Sequence, residues 1–425
     1  MLTISKNNID YIFICILLLF STSANIHLSG IPGCFLLFIC ALSYQFIQER
    51  KILISHKFLL LIGLQLIYFG LLSILHHQLE YYKFICYFTY SYAAYVAIRI
   101  VSNKLLFYTE AAITMFAYIS VFFFLWQLIN PASLFYIIKQ IGVQYPDALA
   151  SSENRFAYNM LIYSINSPFD GSFTRNCGLF FEPGLNACIL CLALALNIMR
   201  NNLKFGRRFF LLSCVLLTTL STTGFIIYLF IVIVVGYSQS KKYSLLFFPL
   251  FILILLPFLY SDFFILKITN DYDQMINYEQ VFQLAKETDS IQTPGRLISL
   301  RLAFIDFLHH PFWGGGTKVS SLSDLYGGEV MLVSGFAMLL VYYGISMAII
   351  WMYGFYKFSI FVQSFYRVKR GKYLLFIVLL LISLSYEIEF PLFFLIATLP
   401  FLYSYEHKTI SHPIRNNNEH IASYI

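Results

Sequence analysis

A chain of 425 residues that is 59% hydrophobic, 19% aromatic and only 12% charged is excluded from the soluble globular class, where about a quarter of residues are charged. Its apolar segments do not alternate with polar residues, which excludes a membrane-spanning barrel. The net charge of +7 follows from the orientation of the chain in a bilayer, as the loops show, and requires no nucleic-acid partner.

Apolar runs at about 10–26, 28–47, 58–75, 84–101, 105–129, 179–199, 208–221, 223–238, 243–260, 330–355, 373–386 and 390–404 predict an all-α polytopic membrane protein. That makes about 12 transmembrane helices in a single integral membrane domain spanning 1–425. The first run resembles a signal peptide, from Lys6 through the apolar stretch to small residues at Ala24, but the many later spans favour its retention. The pairs divided at Ser221–Gly224 and Glu387–Pro391 are each short for a full crossing.

Charge orients the spans. With the N-terminus inside, 19 of the 28 basic residues and 5 of the 21 acidic residues fall in cytoplasmic loops, a net +14 inside against −7 outside. The positive-inside rule therefore places both termini in the cytoplasm. Two long loops, about 130–178 and 261–329, then lie outside, and long loops usually carry function. The cytoplasmic loops are short and basic and hold no Gly-rich phosphate motif. Seven of the eight cysteines fall inside apolar runs, so no disulfide framework follows, and Cys188 and Cys191 read as packing residues in mid-helix.

The first long loop supplies Arg155, Asp170, Arg175 and Glu182. Pro183 suits the first turn of a helix and pushes the residue before it out of helical geometry, so the sixth span is predicted to start there. Glu182 then sits beside the positive end of the helix dipole, worth about 0.3 to 1 kcal/mol to a carboxylate. That favours orienting an arginine or an acceptor hydroxyl over abstracting a proton. Arg175 offers a planar fork suited to phosphate.

In the second loop the stretch from Arg296 to His310 predicts an amphipathic surface helix. One stripe carries Arg296, Ser299, Ala303, Asp306 and His310, while Arg301 falls among Leu297, Phe304, Ile305 and Leu308. A lone arginine on an apolar face must pair, snorkel or meet a ligand. Pro311 and the glycines from Gly314 read as a helix stop and turn, with a backbone nest for phosphate as the other reading. Asp271 and Asp273 form a nominal D-x-D, which a polar loop explains without a metal, and His309 and His310 lack a third ligand at zinc spacing. No metal site and no cofactor are expected.

These residues together resemble the bacterial O-antigen polymerase and ligase superfamily, the Wzy-type polymerases in particular. The resemblance rests on Arg175, Gly178, Phe180, Glu182 and Pro183 opening a central span, then Ser221–Gly224 between short spans, then Arg296 followed by Pro311 and the glycine run. It covers roughly residues 170–350. It implies a metal-independent glycosyltransferase of the inner membrane that works at the periplasmic face on undecaprenyl-diphosphate-linked oligosaccharide. A polymerase of this family moves the growing glycan onto the next lipid-linked repeat unit, and a chain-length regulator protein is a further implied partner. The resemblance implies that Arg175 and Arg296 hold the diphosphate or glycan; with the residue reading above, Arg175, Glu182 and Arg296 are the catalytic candidates and Arg155, Arg301 and Asp306 the substrate-binding ones. Ligases of the superfamily carry a histidine aligned near Val333 and Ser334, where this chain has none. A flippase is the rival from another class, but transporters place ionisable groups along a central path, and here Arg99 and Glu110 lie near the cytoplasmic ends of otherwise uncharged spans.

Overall fold

The computed structural model describes residues 6–22, 28–77, 80–144, 157–166, 175–239, 276–288, 294–316, 334–369 and 371–403, with isolated positions at 269, 272, 330 and 332. The predicted span at 243–260, Arg155, Asp170, Asp271, Asp273 and Val333 lie outside the described residues. The helices in chain order are α1 (Lys6–Phe20), α2 (Gly30–Glu49), α3 (His56–Leu75), α4 (Tyr81–Val101), α5 (Leu105–Ile129), α6 (Pro131–Ile141) and α7 (Pro183–Arg200). They continue as α8 (Arg207–Thr218), α9 (Thr222–Gln239), α10 (Tyr278–Thr288), α11 (Arg296–His309), α12 (Gly335–Tyr366), α13 (Leu374–Ser385) and α14 (Pro391–Leu402).

Among the described residues, five segments are long and apolar enough to cross a membrane: Gly30–Glu49, His56–Leu75, Tyr81–Ile129, Pro183–Arg200 and Gly335–Tyr366. The chain is a multi-pass membrane protein. Tyr81–Ile129 comprises α4 and α5, separated where Ser102 leaves helical geometry at φ 53° and ψ −119°. The helices α1, α8, α13 and α14 hold 15, 12, 12 and 12 residues, short of the roughly 20 behind the predicted count of twelve crossings.

The centre of the bundle is α7. Every residue from Pro183 to Met199 is buried, as an all-round apolar helix requires. It packs on α5, α8 and α9, while α4 packs on α2 and α14, and α12 on α11 and α13. At the periphery α3 exposes Leu60, Ile67 and Ile74, a surface suited to lipid.

Two features of the long loops depart from the all-α expectation. Val143–Gln144, Ala157–Asn159 and Ser164–Asn166 form a small antiparallel sheet, β1 to β3 in that order, and the Ser164 N–H donates to the carbonyl of Gly178. The sheet thereby buttresses the approach to α7. In α12, Gly344 breaks the helix at φ 67° and ψ −164°. Backbone groups freed inside a membrane must find protein partners. The Gly315 N–H donates to Val341, Gly316 to Tyr342, and Ile345 donates back to Pro311. A Cβ on Gly344 would lie 2.5 Å from the Phe312 carbonyl carbon, so glycine allows this close approach.

Candidate functional site

The start of α7 is set by Pro183 at its first position, with Glu182 as the extended residue before it at φ −119° and ψ 136°. The Glu182 side chain caps nothing, which leaves its carboxylate available to other groups. The loop leading in is held by Asn176, which is fully buried. Its amide donates to Thr218 Oγ1 at 2.9 Å and Ser120 Oγ at 3.2 Å, and its Oδ1 accepts from the Gly178 N–H at 3.0 Å. Gly178 has φ +56°, and a Cβ there would lie 2.7 Å from Asn186 Nδ2. Asn186 Nδ2 donates to the Asn176 carbonyl at 3.2 Å, and no sequence signal marked either residue, because Asn176 works through hydroxyls on two other helices and Asn186 through a loop carbonyl.

Arg175 points at the end of α8. Its Nε donates to the Thr219 carbonyl at 3.1 Å and its Nη2 to the Leu220 carbonyl at 3.0 Å. A guanidinium at a helix C-terminus satisfies carbonyls that lack intrahelical partners and meets the negative end of the dipole. Its Nη1 has no partner among the described residues. Burial lowers the pKa of Arg175 below the ordinary arginine value; Cys177, Tyr386 and Glu182 oppose that shift, and the Arg296 charge adds to it.

Arg296 opens α11 and reaches the same place from the second loop. Its Nη1 donates to Thr223 Oγ1 at 2.9 Å, its Nη2 to the Tyr386 hydroxyl, and its Nη2 stands 3.8 Å from Glu182 Oε2. The Ser221–Gly224 segment divides the work. Ser221 Oγ accepts from the Gly224 N–H to start α9, Thr223 holds Arg296, and Gly224 lets α9 approach Ala187 of α7, whose Cβ would lie 2.5 Å from an added one. Gly184 is required for a similar reason, since a Cβ there would collide with the Tyr386 hydroxyl.

The other substrate candidates lie elsewhere. Arg301 is exposed and stacks on Tyr278, 4.8 Å from the ring centroid, while Phe304 and Leu308 beside it also face outward. The face expected to be polar is the buried one, with Ser299, Ala303 and Asp306 turned inward. A helix at a membrane surface turns its apolar stripe to lipid and its small polar stripe to protein. Asp306 is ten residues beyond Arg296, about 15 Å along the helix. The glycine run forms no phosphate nest, because Gly314, Gly315 and Gly316 donate to His310, Val341 and Tyr342. Ser334, where ligases would align a histidine, is fully buried and donates to the Leu384 carbonyl at 2.8 Å.

The site is thus a meeting of two guanidinium groups, one partly exposed carboxylate, a tyrosine and a threonine, gathered where α7 and α9 begin and α8 and α13 end. Like charges held this close favour an anion between them. Their fork geometry fits phosphate oxygens.

The O-antigen ligase family model matches residues 208–330, a stretch that contains Ser221–Gly224 and Arg296 and begins after Arg175 and Glu182. No curated protein and no solved structure matches the chain. The family match supports membership of the chain in the O-antigen polymerase and ligase superfamily.

Proposed function

We propose that the protein is a polymerase of O-antigen or a related surface polysaccharide, a glycosyltransferase that moves undecaprenyl-diphosphate-linked glycan onto the next lipid-linked repeat unit. The observation that carries this reading is the junction of Arg175, Glu182, Thr223 and Arg296 from three separate segments. In the reaction an acceptor hydroxyl oxygen bonds to the anomeric carbon of the donor sugar, the bond from that carbon to the diphosphate breaks, and the hydroxyl proton is released to water. The leaving diphosphate gathers charge, and fixed donors aimed at developing charge are the strongest general device for stabilising it. Arg175 Nη1 and the Arg296 fork are those donors. Glu182, 44% exposed on its side chain, orients Arg296 through a long ion pair that a diphosphate displaces at little cost, because exposed pairs are worth about 0 to 1 kcal/mol.

The same reading puts this end of the bundle at the periplasmic face of the inner membrane and both termini in the cytoplasm, supported by the net +14 against −7 charge of the alternate loops. The proposed lipid-linked oligosaccharide approaches through the bilayer, and a chain-length regulator acts alongside. The ligase reading takes its support from the name of the matched family. The engagement of Ser334 with a helix carbonyl favours the polymerase.

The test is to delete the gene and size the glycans on the surface and on the lipid carrier. A polymerase defect leaves surface glycan one repeat unit long. Long chains stranded on the carrier would identify a ligase, and units trapped on the cytoplasmic side a flippase.

A further inference from the structure

A second polar site stands one residue beyond Tyr386. The segment from Tyr386 to Phe390 joins α13 to α14, and Tyr386 is extended at φ −139° and ψ 152°. Successive side chains of extended backbone point to opposite sides. Tyr386 meets Arg296, and Glu387 lines a separate cavity of about 180 Å³ together with Tyr82, Lys83, Tyr90, Glu389 and Phe390. That volume equals about six waters of the liquid, enough for one sugar ring.

The charged groups in this cavity are not equivalent. Glu389 is committed, accepting from Lys83 Nζ at 2.8 Å and from the Tyr87 hydroxyl at 2.5 Å. Lys83 also stands 5.5 Å from the centroid of the Tyr342 ring. Glu387 makes no hydrogen bond and no ion pair among the described residues. Burial raises its pKa above the ordinary carboxylate value, Glu389 adds to the rise and Lys83 opposes it. Glu387 is half-buried, so its oxygens are open to water or to the hydroxyls of a ligand in the cavity. The lining suits a carbohydrate: aromatic faces for the C–H side of a sugar ring, and carboxyl oxygens that accept from vicinal hydroxyls.

We propose that this cavity is a glycan subsite that holds a sugar ring of the acceptor repeat unit, with Glu387 accepting from its hydroxyls. The inference rests on the polymerase reading and deepens it. The arginines take the diphosphate on one side of the Tyr386–Glu387 backbone, and the cavity takes a neutral sugar on the other. Glu387 is here a binding residue whose loss raises the acceptor KM and leaves kcat nearly unchanged.

The test uses full-length protein purified in nanodiscs and, as probe, the lipid-free oligosaccharide released by mild acid from the host's own lipid-linked repeat units. Binding is measured for the unaltered protein, Glu387→Gln, Tyr82→Ala and Arg296→Ala. Tyr82 is 42% exposed, so its replacement keeps the test informative if Glu387→Gln fails to accumulate. The expected result is binding that falls tenfold or more in Glu387→Gln and Tyr82→Ala and persists in Arg296→Ala. No binding by the unaltered protein, or binding unchanged in both cavity variants, overturns the subsite. Failure of the polymerase reading would show instead as normal glycan lengths in the deletion strain, an outcome independent of oligosaccharide binding.

Discussion

The guanidinium carbon of Arg296 lies 4.3 Å from the centroid of the Tyr386 ring, and the same arginine donates to the hydroxyl of that tyrosine. Ring and hydroxyl therefore hold one cation from two directions. Stacking of this kind is worth about 0.5 to 2 kcal/mol, and a hydrogen bond to a charged group about 1.5 to 3. Tyr386→Phe should lower polymerisation about 10- to 100-fold, and Tyr386→Ala should lower it further. The measurement is polymer formed per unit of membrane-inserted protein. Equal activity of the phenylalanine variant and the parent would show that the hydroxyl contributes nothing.

Arg296→Ala removes a fixed donor and should cost roughly 100- to 1,000-fold in rate at normal abundance. Arg296→Lys keeps the charge without the fork, so its loss should be smaller yet measurable. Arg175→Ala should differ, because Arg175 also closes the end of α8. It should reduce abundance as well as rate, and immunoblots of washed membranes beside glycan sizing separate the two effects.

Gly184→Ala opposes two effects. Alanine favours the helix by about 1 kcal/mol, but its Cβ enters the space of the Tyr386 hydroxyl beside Arg296. The variant should accumulate normally and polymerise poorly. Activity at the parental level would mean that Tyr386 moves aside without consequence for Arg296.

At the other end of the bundle, the fully buried Glu110 joins Arg200 of α7 at 2.8 Å and accepts from Asn197 at 2.7 Å, with Arg208 of α8 at 3.7 Å. Removing one member of a buried pair strands the others, at a cost of about 3 to 5 kcal/mol. Glu110→Ala should therefore deplete the protein and lower its melting temperature in detergent. Any protein that remains should keep its specific activity, since this cluster takes no part in the proposed reaction.

The sulfurs of Cys34 on α2 and Cys86 on α4 are 3.2 Å apart, both as free thiols. Oxidation with diamide should join them and protect both from maleimide after unfolding. Cys34→Ser should abolish that protection. Persistent labelling of both residues would contradict the packing of α2 on α4.

The parts of this architecture that were legible in the sequence are those written locally. Pro183 marks a helix start by its own covalent geometry, and the long apolar runs mark spans by composition alone. Arg175, Glu182 and Arg296 stand out in the sequence only through the order of three motifs, each weak alone, and the structure brings Arg296 within 3.8 Å of Glu182. Tyr386 was not found, because nothing in its neighbourhood distinguishes it and its partner lies 90 residues earlier. Asn176 was hidden for the same reason. The sheet escaped because its strands are two or three residues long, too short for an alternating pattern. The orientation of α11 is not legible either: periodicity finds the apolar stripe but not whether lipid or protein receives it. Pro311 and the glycines do stop α11 and turn the chain, but their pairing with the break in α12 is not legible, since those partners belong to a helix not yet reached in the chain.

That last pairing bears on how the protein is made. Synthesis runs from the N-terminus, so residues 311–316 leave the ribosome before the segment that contains Gly344. When α12 enters the bilayer, its unbonded carbonyls at Val341 and Tyr342 and the N–H of Ile345 meet a strand of backbone already present. A span broken in this way is a poor candidate for insertion alone, and depends on its predecessor for lateral release into lipid. Moving residues 335–403 to a separate polypeptide should therefore impair assembly more than a cut between α2 and α3, even though the separated piece begins at a helix boundary.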